Sequence, residues 1–332
     1  MPVKKISLPD FVIIGANKAG TTSVAHYFNQ HPKIQISKVK EPMFFSSNAD
    51  TVSQREGATL DKPFFAITLD EYSSMFEPQK SGAKLLGEAS TAYLANPKQS
   101  AQLLKKIVPE VKIIAILREP VGRAISAYKM CVGGNIEQRS FAEVVANAQS
   151  ERQILPSHGV KEYIRNGLYA QLLAPYFKYF SPEQILLLDY DQLKWDPKNF
   201  MYAIYEFLQI KPIENNFEKK LNTESDHLSA ALIIDKADIE KLKEFYKEEN
   251  VKLKLLGGED SRDEILKHIR KLFGDDGYRQ SEMGSSQTEE LRQDKQNSFA
   301  KKKLHLANQY SIANRCIQYV LRQWTRLQHK LK

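Results

Sequence analysis

Residues 11–28 read FVIIGANKAGTTSVAHYF. An apolar run of strand type, Phe11 to Ile14, feeds a glycine loop, and a helical pattern follows at once. Gly15 and Gly20 stand five apart, with Thr21, Thr22 and Ser23 directly after. Glycines let backbone N–H groups turn inward, the new helix adds its positive end, and hydroxyls complete the cradle: the stretch reads as a phosphate-binding loop. It is not the nucleoside-triphosphatase motif, which places Lys directly after the second Gly. Here that position holds Thr21, and the lysine lies inside the loop as Lys18.

Outward from this loop, short β-branched or Leu-rich runs alternate with helical patterns up to about residue 260. Strands are expected at 11–15, 34–37, 84–87, 112–117 and 184–189. Helices are expected over 20–30, 97–108, 120–131, 141–153, 162–180, 197–209 and 238–256, where apolar residues recur every three and four. Runs such as VKIIAIL (111–117) are apolar throughout, as a parallel sheet covered on both faces requires. The pattern predicts an α/β three-layer sandwich with a central parallel sheet and a P-loop-like loop, its ligand at the C-terminal ends of the strands. Residues 45–70, rich in Ser, Asp and Thr, read as an irregular excursion at the active-site rim.

Composition narrows the class. Hydrophobic residues make up 42% and charged residues 27% of the 332, an ordinary globular balance. No apolar run approaches the ~20 residues a membrane span needs, and the first residues lack the apolar core of a signal peptide. Cys131 and Cys316 are the only cysteines, so a disulfide framework is excluded and a reducing, cytoplasmic compartment is expected. The seven histidines form no metal-ligand spacing with them, and no metal is expected. Of the net charge of +8, residues 262–332 carry +7, from 15 Lys/Arg against 8 Asp/Glu. The body is nearly neutral, which argues against nucleic acid as a partner. Residues 275–290 read as a linker. Beyond it Ala313, Ile317, Val320, Leu321, Trp324, Leu327 and Leu331 form one apolar stripe on a basic helix. Three segments are expected: a catalytic domain over 1–261, a helix and linker over 262–290, and a basic amphipathic helix over 291–332. That last helix suits a homo-oligomer contact or a peripheral membrane contact.

A second anchor follows the strand KIIAIL, in REPVGRAISAYKM (118–130). Arg118 stands at the strand end, Pro120 opens a helix, and Ser126 lies two turns in. The planar fork of Arg118 suits a second phosphate. Two anion sites on one sheet suit a ligand with phosphates at both ends. Arg123 in the same helix turn reads as a solvated charge, with a phosphate contact as the alternative. With these residues on the page, the chain resembles the sulfotransferases that use 3′-phosphoadenosine 5′-phosphosulfate. Their 5′-phosphosulfate loop is close to NKAGTTS (17–23), and their 3′-phosphate motif, Arg and Ser eight apart, is close to REPVGRAIS (118–126). The resemblance continues through KEPMFFS (40–46), GEASTAYL (87–94), the stretch 167–193 and FYKEENVKLKLLGG (245–258).

The resemblance implies that Lys18, Ala19, Gly20, Thr21, Thr22 and Ser23 hold the 5′ end of the donor, and that Arg118 and Ser126 hold its 3′-phosphate. The product would be adenosine 3′,5′-bisphosphate. In the branch acting on small phenols and steroids a histidine of a Lys-Thr-His segment deprotonates the acceptor, and GEASTAYL has no histidine. The carbohydrate, heparan-type branch uses a Glu before an aromatic pair, and Glu41 in KEPMFF matches it. Lys18 and Glu41 are therefore the expected catalytic residues, with Glu88 as an alternative base. The segment FEKKLNTESDH (217–227) lacks that branch's late Lys-Gly-Arg-type loop. His26 and His31, which flank the first helix, read as capping or packing residues, and Tyr93 and Tyr169 as hydrogen-bonded core. The acceptor is expected to be a hydroxyl or amine of a glycan, a lipid-linked sugar or a small natural product. Two other classes stay open: an ATP-dependent phosphotransferase, and a non-catalytic interaction protein acting through the basic tail.

Overall fold

The computed structural model describes residues 6–46, 68–77, 82–147, 162–214, 217, 232 and 234–256. The chain divides into two compact units, Met1–Asn250 and Val251–Lys332, and the architecture below is that of the first. The expected linker and basic terminal helix lie outside the described residues.

Five strands form one parallel sheet: β1 Phe11–Gly15, β2 Ile34–Ile36, β3 Leu85–Ala89, β4 Lys112–Leu117 and β5 Ile185–Asp189. Their order is β2-β3-β1-β4-β5. The helices are α1 Thr21–Gln30, α2 Leu69–Ser74, α3 Ala92–Ala95, α4 Pro97–Ile107, α5 Pro120–Gly133, α6 Phe141–Ala146, α7 Tyr169–Tyr179, α8 Tyr190–Trp195, α9 Pro197–Phe207 and α10 Lys236–Leu256. From central β1 the chain steps outward past β3 to β2. After β3 it crosses back over β1 to β4 and β5. Right-handed crossovers running in opposite directions put their helices on opposite faces of the sheet, giving the three layers the sequence implies.

Phe11, Val12, Ile13 and Ile14 are 0% exposed, as are Ile113 to Ile116 of β4. Burying each of the Phe, Val and Ile side chains among them stabilises by roughly 1.5–3 kcal/mol, so the middle of the sheet is well anchored. The Phe11 ring reaches across Gly87 of β3 and packs at 4.9 Å on Phe28 of α1. A Cβ on Gly87 would lie 2.1 Å from that ring, so only glycine lets Phe11 tie helix to sheet.

Two expectations are corrected. Of the irregular stretch expected over 45–70, residues 47–67 lie outside the described residues, and its end is already helical from Leu69, because Thr68 and Glu71 form a reciprocal capping box. The helix expected from 162 starts at Tyr169. Before it, Arg165–Gly167 makes a 3-10 turn, and Gly167 is pressed under Tyr246, whose hydroxyl would be 2.7 Å from any Cβ there. The short α3 and α8 also escape the periodicity reading, being too brief to repeat an apolar spacing.

Candidate active site

The loop after β1, the segment after β3 and the turn after β4 all sit at C-terminal strand ends, on either side of the point where the winding reverses. The first loop ends at Gly20, whose φ of 80° is left-handed. A Cβ there would lie 2.6 Å from Leu193 and 3.2 Å from Tyr190, so α8 closes the underside of the loop. Helix α1 begins at Thr21 with no side-chain cap and no acidic residue in its first turn. Its first N–H groups and positive end are therefore left for an anion. Ala19 and Thr21 are buried, and Thr22 and Ser23 are half-buried beside them.

Lys18 also has a left-handed backbone, φ 63°, a conformation that costs a non-glycine residue and persists only where surroundings impose it. Its ammonium approaches Met130 Sδ of α5 at 3.7 Å. Just past the end of β4, Arg118 Nη1 donates to the Lys18 carbonyl at 3.1 Å. The Tyr169 hydroxyl donates to the Arg118 carbonyl at 2.9 Å, and the Arg118 guanidinium lies 4.9 Å above the Tyr190 ring. Two acidic residues that could otherwise pair with Arg118, Glu119 and Asp191, are engaged elsewhere. Glu119 caps α5 through the Val121 and Gly122 amides, and Asp191 pairs with Lys194 at 2.5 Å. The remaining N–H donors of Arg118 suit an anion. Ser126 is half-buried in α5, two turns beyond Arg118.

Glu41 occupies a tight turn in which both Glu41 (φ 59°) and Met43 (φ 56°) are left-handed. Its amide donates to the Ala89 carbonyl at 3.2 Å, docking the turn on the end of β3. Thr91 Oγ1 donates to Glu41 Oε2 at 3.0 Å, and Lys40 Nζ lies 3.4 Å from Oε1. The Glu41 side chain keeps 21% of its surface exposed, enough to meet an acceptor.

Glu88 is 0% exposed and faces inward from β3. Tyr72 and Tyr93 each donate a hydroxyl to its Oε1 at 2.6 Å, and Ser90 donates to Oε2 at 2.7 Å. Burial pushes its carboxyl up to about 7 against the pull of these three donors, and the nearby Glu41 charge adds to the rise. The network reaches the Glu41 turn: the Met43 amide donates to Ser90 Oγ at 3.1 Å, and the Phe45 amide to the Tyr93 hydroxyl at 3.5 Å. Glu88 is therefore enclosed by protein, whereas Glu41 is partly open.

His31 is buried between the Lys211 carbonyl and the Lys33 amide, and His26 bonds Gln30, both as packing groups. Arg123 departs from the sequence reading: it is 0% exposed, not solvated, because α5 turns it beneath the first loop. Sequence reasoning also passed over Thr91, Ser90, Tyr72 and Tyr190. Tyr190 had one signal, since like Arg118 it stands just past the end of a strand, here LLLD. Among the described residues no cluster of His, Cys, Asp and Glu could hold a metal, and no helix is long and apolar enough to cross a membrane.

Residues 8–306 match the model of the sulfotransferase domain family. The bifunctional heparan sulfate N-deacetylase/N-sulfotransferase of Drosophila melanogaster is 30% identical over 226 residues, taking in 62% of this chain and 20% of its own length. Carbohydrate sulfotransferase 15 of Mus musculus is 24% identical over 258 residues, 64% of this chain and 45% of its own. The chain thus spans less than half the length of these relatives. A sulfotransferase from Alicyclobacillus acidocaldarius, solved by crystallography, shares the fold with a TM-score of 0.56 at 29% identity, over 73% of this chain and 97% of that one.

Proposed function

The chain belongs to the sulfotransferase domain family, and we propose that it moves a sulfuryl group from 3′-phosphoadenosine 5′-phosphosulfate to a hydroxyl or amine of a glycan, a lipid-linked sugar or a small natural product. The observation that carries this reading is the bond from Arg118 to the Lys18 carbonyl, which joins a phosphate loop and a second anion site at one edge of the sheet. A donor with phosphate groups at both ends of an adenosine needs such a pair, whereas ATP lacks the 3′-phosphate. The uncapped α1 terminus and the Arg118 donors that have no partner among the described residues fit its two charged ends.

When bound, the donor supplies an activated sulfuryl group on a phosphate leaving group. Lys18, with the amides of Gly20 and Thr21 and the hydroxyls of Thr22 and Ser23, holds the 5′ end and places fixed positive charge where negative charge gathers, while the Ala19 amide is turned back to the Ala16 carbonyl at 3.2 Å and shapes the loop. Arg118 and Ser126 hold the 3′ end. Glu41 takes the acceptor's proton on a carboxylate oxygen, and the Thr91 hydroxyl keeps that carboxylate turned toward the acceptor. The likeness to heparan and carbohydrate sulfotransferases supports a sugar acceptor first. A cytoplasmic setting, and an oligomer or membrane contact through the basic terminal segment, belong to the same proposal.

The test is calorimetry with adenosine 3′,5′-bisphosphate, adenosine 5′-phosphate and Mg-ATP, followed by an untargeted sulfation screen read by mass shift. Strong preference for the bisphosphate is expected. Equal binding of all three, or preference for Mg-ATP, would overturn the reading.

A further inference from the structure

Arg123 is the largest fully buried side chain of the described residues, and it is a cation. Its Nη1 donates to Asn17 Oδ1 at 2.6 Å, and Nη2 donates to the Tyr163 carbonyl. Its Nε has no partner among the described residues. Both acceptors are neutral, and no carboxylate of the described residues pairs with it. A buried guanidinium without a counter-ion is unfavourable, and apolar replacements are commonly better tolerated in such places. Its position gives the reason for keeping it. Asn17 belongs to the loop between β1 and α1, one residue before Lys18, so the charge lies directly behind the loop backbone.

We infer that Arg123 is a positioning residue for the 5′ end of the donor: it holds the loop through Asn17 and supplies buried positive charge that an anion on the loop compensates. This rests on the sulfotransferase reading above. The arrangement divides labour between two arginines of one segment. Arg118 faces the ligand from the strand end, while Arg123, five residues on, braces the loop from below. At its other end Arg123 is held by the Tyr163 carbonyl, in a segment fixed in turn by α10, where the Tyr246 hydroxyl donates to the Ile164 carbonyl at 2.6 Å. The loop therefore inherits the rigidity of the core rather than that of a surface turn.

The test separates the two ends of the nucleotide and needs no acceptor. Adenosine 5′-phosphate and adenosine 3′-phosphate are titrated into the full-length protein, wild type and Arg123→Met. Affinity for the 5′-phosphate should fall by roughly tenfold or more, the scale of one lost charge-assisted interaction, and affinity for the 3′-phosphate should stay within about twofold. Arg123→Lys, which keeps charge without the fork, should lie between. Asn17→Ala should repeat the selective loss and decides the matter if Arg123→Met does not fold. The double variant should be no worse than Arg123→Met, because the two act in series. Equal loss at both ends, or none, overturns the inference alone. Wild-type protein that binds neither nucleotide overturns the sulfotransferase reading and this inference with it.

Discussion

The guanidinium of Arg118 donates a hydrogen bond to the backbone carbonyl of Lys18 at 3.1 Å, across 100 residues of sequence. The two segments proposed to bind the ends of the donor, which follow neighbouring strands, are thereby tied together, with the spacing between them set by the β1–β4 pairing. A ligand held at both ends can then be placed without the loops having to find each other first.

Replacing Arg118 by Ala should erase most of the preference for adenosine 3′,5′-bisphosphate over adenosine 5′-phosphate. Charge-assisted bonds contribute ~1.5–3 kcal/mol each, so the bisphosphate should weaken roughly tenfold to a hundredfold. Calorimetry on both ligands completes the cycle. Equal weakening of the two would remove the 3′-phosphate from Arg118.

Lys18→Ala is expected to lower turnover far more than nucleotide affinity, since an interaction that strengthens as charge develops acts mainly on the transition state. Steady-state rates with an acceptor found in the sulfation screen, beside calorimetric affinities, give the comparison. A loss confined to binding would make Lys18 an ordinary phosphate ligand.

For Glu41 the informative change is Glu41→Gln, which keeps the Thr91 hydrogen bond but cannot take a proton. The rate should drop by roughly 10²–10⁴. Thr91→Val should cost less, because it frees the carboxylate without removing it. Full activity of Glu41→Gln would exclude it as the base.

The buried Glu88 makes a prediction about stability and pH. Its carboxyl is raised from 4.5 to about 7, so between those values the folded chain holds a proton that the unfolded chain releases. Stability from this group is thus fully present below about pH 4.5 and is lost as pH rises through about 7. The whole effect is on the order of 3 kcal/mol. Glu88→Gln resembles the neutral acid and should flatten this slope, so its melting temperature relative to wild type should climb between about pH 5 and pH 8. A constant difference across that range would mean that Glu88 is ionised throughout.

Gly20→Ala should damage both stability and binding. The left-handed φ of 80° and the 2.6 Å approach to Leu193 leave no place for a methyl group, so about 1–3 kcal/mol of stability should be lost with the loop's grip on phosphate. Chemical denaturation and adenosine 5′-phosphate binding measure the two effects.

What the sequence determined by itself was local. Apolar runs became the five strands within a residue or two, because continuous burial needs continuous hydrophobicity. The loop from Gly15 to Ser23, the Pro120 helix start and the strand-end Arg118 were legible because glycine, proline and strand length act on near neighbours. The residues proposed for chemistry were legible as positions along the chain, but their partners were not. Periodicity could not show that Arg123 turns inward to Asn17 rather than out to water, since a charged residue in a helix has the same spacing either way. Nor could it show that Glu88 is sealed by Tyr72, Ser90 and Tyr93 while Glu41, from a neighbouring segment, stays partly open. Those outcomes depend on strand order. Only when β3 and β4 flank β1 do three segments from distant parts of the chain end at one edge, and burial and charge there are properties of the assembled neighbours.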